Sequence, residues 1–175
     1  FGGGIVRVID PKTGNVGAQM DAGDDQAITG AFSPDGTLLA TIGRDNRIRI
    51  RDARSLAIVV TVAQGSVANL KDPLFGKLAF SPNGRLIAGA RPDGSVGLWN
   101  TASGILERML PQPDSLTHYV LSGVIASAID FGPDGSVAGA LGTHLVVWPA
   151  DGMAAEDLGS PSGPIRAVAF LPGSE

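Results

Sequence analysis

Four phrases in this chain are versions of one another: AFSPDGTLLA from residue 31, AFSPNGRLIA from 79, DFGPDGSVAG from 130 and AFLPGSE from 169. A second marker also recurs, a β-branched run with a fixed ending: VRVID at 6–10, IRIRD at 48–52, VGLWN at 96–100 and LVVWP at 145–149. From the phenylalanine of the first phrase to the end of the second marker the interval is 20, 20 and 18 residues (32 to 52, 80 to 100, 131 to 149). From the marker to the next phenylalanine it varies, at 22, 28, 31 and 21. A constant interval holds elements tied by tight turns, and a variable one holds a loop. Self-similarity of this kind restricts the fold to repeated supersecondary units that bury their faces on one another.

The turn chemistry says what the units are. Pro34-Asp35-Gly36, Pro82-Asn83-Gly84 and Pro133-Asp134-Gly135 each set φ with proline, cap with Asp or Asn, and allow positive φ with glycine, which reads as a hairpin. A second tight turn precedes each closing strand, at 43–46, 91–94 and 141–144, and a third follows it, at 11–14, 53–56, 101–104 and 149–152. The runs between these turns are short and apolar, with almost no helical period. The pattern predicts an all-β chain with four short antiparallel strands per unit, and such a unit, repeated every 40–50 residues or so, is a β-propeller blade. The expected pieces are a partial blade at 1–20, full blades at 24–62, 76–110 and 124–158, and a partial blade at 163–175, in one propeller segment.

The F-S-P-D-G phrase and the β-branched strand ending in Trp-Asn or Trp-Pro resemble the WD-repeat β-propellers, and the resemblance spans nearly the whole chain. The departures are specific. No unit has the family's Gly-His pair, and its Trp-Asp dipeptide is replaced by Ile9-Asp10, Arg51-Asp52, Trp99-Asn100 and Trp148-Pro149. The family's Asp before the third strand is matched by Asp45 and Asp93, with Gly142-Thr143 in the later unit. The resemblance implies a ring of seven or eight blades. Both ends fall inside a blade, so the expectation is either an arc of a larger propeller protein or two half rings that associate.

One strand breaks the apolar pattern. On 46–52, Arg47, Arg49 and Arg51 alternate with Ile48 and Ile50. Blades splay apart towards their outer edge, where arginine stems can lie on apolar surface with their charge in water. The arginines are therefore expected on a solvated flank sharing charge with Asp45 and Asp52, the alternative being an anion or acidic-partner contact that includes Arg44 and Arg54.

Composition removes several function classes. A net charge of −4 and a pI of about 5.0 disfavour nucleic acid and anionic membranes, which need clustered cations. With no cysteine, disulfides, thiolate catalysis and cysteine-bound zinc are excluded. Two histidines, His118 and His144, make no metal cluster, and no nucleotide loop or nucleophile elbow occurs, so neither cofactor nor metal is expected. High Gly and Ala content points to a GC-rich bacterial gene. Nothing assigns a compartment, and the cytoplasm is the default.

Function is expected on loops carried by a rigid scaffold. In propellers of this family the connections between blades share one face with the turns before the third strands. The two long connections, 63–76 and 111–123, carry Lys71, Asp72, Phe75, Asp114, His118 and Tyr119, and the nearby turns carry Arg44 and Arg91. These eight are the expected partner-binding residues. The chain reads as a non-catalytic protein-interaction or sensor scaffold whose partner is another protein, the rest of its own propeller or a second copy. One alternative is a hydrolase- or lactonase-like propeller enzyme with a central-channel site, although the inner strands offer only Lys77, Asp130 and Arg166. Another is a purely structural domain of an assembly.

Overall fold

The computed structural model describes residues 5–21, 27, 29–43, 45, 47–63, 77–91, 95–116, 126–151, 154–160 and 163–171. Each P-[DN]-G phrase closes a hairpin held by its own side chains. The Ser33 hydroxyl donates to Asp35 Oδ1 at 2.6 Å and accepts from the Leu38 amide at 2.9 Å. Ser81 repeats this with Asn83 and Leu86. In the third copy Gly132 replaces the serine, and the hydroxyl comes from the other side of the turn, Ser136 donating to Asp134 at 2.6 Å. A Cβ at residue 132 would crowd the Ser136 hydroxyl and the Asp134 carboxylate, so this hydroxyl takes up the space that a side chain at 132 would use.

The strand marker ends in Asp or Asn for a similar reason. Asp52 Oδ1 accepts from the amides of Arg54 and Ser55, and Asn100 Oδ1 from those of Ala102 and Ser103, capping the turn into the fourth strand. Pro149 cannot cap, and there the connection is longer and the fourth strand shrinks to two residues.

The strands form three four-stranded antiparallel meanders and a two-stranded sheet. The pair is β1 (Ile5–Ile9) and β2 (Val16–Asp21). The first full blade is β3 (Thr29–Phe32), β4 (Leu38–Ile42), β5 (Arg47–Asp52) and β6 (Ile58–Ala63). The second is β7 (Leu78–Phe80), β8 (Leu86–Ala90), β9 (Val96–Asn100) and β10 (Leu106–Leu110). The third is β11 (Ala126–Phe131), β12 (Val137–Leu141), β13 (His144–Trp148) and β14 (Glu156–Asp157). Inner strands of successive blades touch, β3 and β4 meeting β7, and β7 and β8 meeting β11. The segment 163–171, expected to be a first strand, has no ladder partner and is not a strand. It is held by Asp130, whose carboxylate accepts from the Phe170 amide at 2.8 Å, and by Ser127, which donates to the Ile165 carbonyl at 2.9 Å.

Two apolar clusters fill the seams between blades. Ala40, Ile42, Ile48, Ile50 and Val62 of the first blade pack with Phe80, Ile87 and Trp99 of the second. Leu98 and Leu110 of the second pack with Ile129, Phe131, Val146 and Trp148 of the third. The Trp99 indole lies where a side chain on Gly97 would otherwise stand, and Trp148 crowds Gly139 in the same way.

Arg47 lies on a solvated flank as expected, its side chain 60% exposed and its Nε 3.9 Å from Asp45, but Arg49 and Arg51 do not. They are only 7% and 4% exposed, because β5 is covered on both faces beyond its first residue. Cross-strand pairing puts Arg51 opposite Leu39 as Trp99 is opposite Ile87 and Trp148 opposite Val137, so Arg51 occupies the tryptophan position of its blade. Thr41 and Arg49 then stand where the second blade has the glycines that admit an indole, Gly89 and Gly97. Arg51 Nη1 donates to the Leu56 carbonyl at 3.0 Å. Leu56 has a φ of 58°, at a turn position held elsewhere by Gly14 and Gly104. Arg49 forms a two-pronged pair with Asp45, Nη1 to Oδ1 at 3.0 Å and Nη2 to Oδ2 at 2.6 Å.

Candidate loop-edge interaction face

Register places the loops. In the second blade Ala90, Val96 and Leu110 are aligned across three strands, so Arg91 and Pro111 leave the sheet at one edge. In the first blade Ile42, Ile48 and Val62 align in the same way, so Gly43 leaves the sheet beside the end of β6. The third blade presents the turn between Leu141 and His144 at the corresponding edge. Short turns between second and third strands and the outgoing connections therefore share an edge in each blade, as the family resemblance implied.

Of the eight expected partner-binding residues, the structure describes Asp114 and Arg91; Arg44, Lys71, Asp72, Phe75, His118 and Tyr119 lie outside the described residues. The Arg91 amide closes its turn by donating to the Ser95 carbonyl at 2.8 Å. Asp114 opens a 3-10 turn, Asp114–Leu116, and is exposed. This connection is anchored at two points. Leu116 is buried in the seam between the second and third blades, and the Trp148 indole Nε1 donates to the Pro111 carbonyl at 2.7 Å. A polar cluster completes it, with His144 Nδ1 at 3.1 Å from both Asp157 oxygens and the Ser115 hydroxyl donating to Asp157 at 3.4 Å.

In this cluster the Ser115 hydroxyl hydrogen goes to a carboxylate and not to an imidazole, which gives no activated nucleophile. Separations of 42 and 13 residues gave no signal for this grouping. Asp130, the one inner-strand carboxylate considered for catalysis, is engaged by the Phe170 amide. Among the described residues no group of His, Cys, Asp or Glu could hold a metal ion, and no helix is long and apolar enough to cross a membrane.

Electrostatics follow the turns. Hydrogen bonds from the Ser33 hydroxyl and from Thr37 hold the Asp35 carboxyl below its ordinary range, and bonds from Ser136 do the same for Asp134. Ser55, with the Arg54 amide and charge, lowers Asp52. Burial pushes Asp45 up, but hydrogen bonds from Arg49 and the Arg47 amide and the charges of both arginines outweigh it, and the net shift is downward. Carboxyls with a folded-state pKa below the unfolded value stabilise the fold above that unfolded value, and the contribution is lost as pH falls through the folded one. Melting temperature is therefore expected to stay level from pH 7 to about 5 and to drop below about pH 4. Thermal melts followed by circular dichroism test this, and a melting temperature unchanged down to pH 3 would refute it.

Residues 21–52 and 74–100 match the family model described as WD domain, G-beta repeat. Over 139 residues the chain is 29% identical to telomerase protein component 1 of Rattus norvegicus, an alignment covering 79% of this chain and 5% of that protein. Over 113 residues it is 29% identical to autophagy-related protein 16 of Arabidopsis thaliana, covering 64% of this chain and 22% of that one. The chain thus spans only a small part of either relative. Among solved structures, dihydro-heme d1 dehydrogenase NirN in complex with DHE superposes with a TM-score of 0.63 at 22% identity, over 89% of this chain and 33% of that one. The likeness to that β-propeller is one of fold.

Proposed function

We propose that this chain, which carries WD-type repeats in β-propeller blades, serves as a non-catalytic protein-interaction or sensor scaffold within a larger propeller, reading its partner along the loop edge. Repeats of this type generally build interaction scaffolds, and the reading of this particular edge rests on one observation. The connection 111–116 is fixed to the rigid seam by Leu116 and by Trp148, while Asp114 stands exposed at its turn. A loop held this way presents side chains at low entropic cost on binding. The enzyme alternative needs several convergent catalytic groups, whereas Asp130 already serves a backbone amide.

Replacing Phe75 and Tyr119 by alanine together, and separately Lys71 and Asp72, is expected to abolish partner capture while the melting temperature shifts by no more than a few degrees. Immobilised protein and cross-linking mass spectrometry measure capture, and capture unaltered in both double variants would sink the reading.

The proposal extends to the face of the first blade. Phe32 is 50% exposed, whereas its counterparts Phe80 and Phe131 are 8% and 7% exposed under a preceding blade. Beside Phe32 a cavity of about 290 Å³ separates β1 from β3 and β4. The inner strands of a further blade fit there, supplied by the rest of a larger propeller or by a second copy. Intact mass of the natural protein, followed by its mass in solution, decides between them. An intact mass well above 17.8 kDa means one larger ring, 17.8 kDa doubling in solution means paired arcs, and 17.8 kDa in both overturns the extension.

A further inference from the structure

A second feature of the loop edge points to the chemistry of what it reads. Between the connection after β10 and the residues leading into β14 lies a groove of about 350 Å³. Pro111, Pro113 and Ala155 give it apolar walls, and the charged residues on its lining, Asp114 and Asp157, are both carboxylates. Gln112 also lines it, and both atoms of the Gln112 side-chain amide, Nε2 and Oε1, are buried without a hydrogen-bond partner. A buried donor and acceptor left unmade are expensive, and such pairs are rare in native structures. The Trp148 bond to the Pro111 carbonyl anchors the backbone next to Gln112.

We infer that this groove is a docking site for an extended peptide segment of a protein partner, carrying a lysine or arginine. A primary amide offers a donor and an acceptor side by side, the same pair that a peptide bond offers, so Gln112 can bond one backbone unit of a passing strand twice. The Gln112 amide makes no hydrogen bond to the protein, so bonds to a passing strand would replace none. The proline and alanine walls suit the backbone and aliphatic stem of a long side chain, and the acidic lining, exposed Asp114 with Asp157 held behind it by His144 and Ser115, favours a cationic head over an anionic one. This deepens the reading of the loop edge as an interaction face and rests on it.

The test uses the full chain and fluorescein-labelled decapeptides of glycine, alanine and serine with one central residue: arginine, lysine, leucine or glutamate. Fluorescence anisotropy is expected to show the arginine and lysine peptides binding at least tenfold more tightly than the glutamate peptide, with affinity falling as salt rises. Q112L should weaken the arginine peptide at least fivefold, and D114N about threefold with a shallower salt dependence. In the unsubstituted protein, the Gln112 side-chain amide resonances should shift on titration with the arginine peptide, a readout that stands even if a variant fails to fold. Absence of binding, equal binding of the arginine and glutamate peptides, or a static Gln112 amide would each overturn the inference and leave the amide as a packing defect or a water site. If the arginine peptide fails while Phe75 and Tyr119 remain essential for partner capture, the groove falls and the scaffold reading stands. If the peptide binds while capture survives both loop variants, the groove stands and the wider face does not.

Discussion

Trp99→Ala is expected to destabilise the chain by about 3–5 kcal/mol, the range found when a buried tryptophan or phenylalanine is truncated. The indole is fully buried in the seam between first and second blades, against residues of both. Its loss leaves a cavity that the seam cannot refill cheaply, because Gly89 and Gly97 beneath it have no side chains to move in. The effect should concentrate in that seam. Trp148 is the only other tryptophan and sits in the next seam, so its fluorescence reports there independently. Urea unfolding of the variant should show a lower midpoint, with Trp148 emission still native-like before the transition. A cost below about 1 kcal/mol would mean that the seam is not packed as described.

Asp45→Ala carries the second largest expected effect. Its carboxylate binds both terminal nitrogens of Arg49, whose side chain is 8% exposed against 34% for Asp45. Removing one member of a buried pair costs about 3–5 kcal/mol. With the carboxylate a third exposed, water screens part of this, and about 2–3 kcal/mol is expected. Asp45→Ala with Arg49→Leu should recover most of the loss, since an apolar replacement of a buried pair is near neutral. The double-mutant cycle by chemical denaturation measures the coupling directly. If the double variant is no more stable than Asp45→Ala alone, the pair is not what holds Arg49 in place.

These two residues mark the limits of what the chain's letters reveal. Ser33-Pro34-Asp35-Gly36 announces its hairpin because every partner in the turn lies within five residues. Asp52 and Asn100 cap their turns over two or three residues, so the strand marker is legible for the same reason. Strand number and blade order follow from such local chemistry and from the spacing of the repeats. The common edge that carries Asp114 and Arg91 came from the resemblance to WD-repeat propellers. What the edge holds between them was not legible. The bonds from Ser115 and His144 to Asp157 join residues on separate elements, and the unpaired amide of Gln112 depends on how one connection lies against the next strand.

The arginines show the distinction most clearly. Alternation along 47–52 established a strand with two unlike faces, and the charged face was expected in water. Whether a face is wet depends on what stands opposite it, and in a stack of blades that neighbour is remote in sequence. Sequence by itself determined the unit, its turns and its repetition, because hydrogen bonds within a few residues decide those. Tertiary structure alone decided that Arg51 is buried in the tryptophan's place, that Arg49 is buried with Asp45, and that Phe32 is half exposed where Phe80 is covered. Burial is a property of two surfaces meeting, and each strand encodes only one of them.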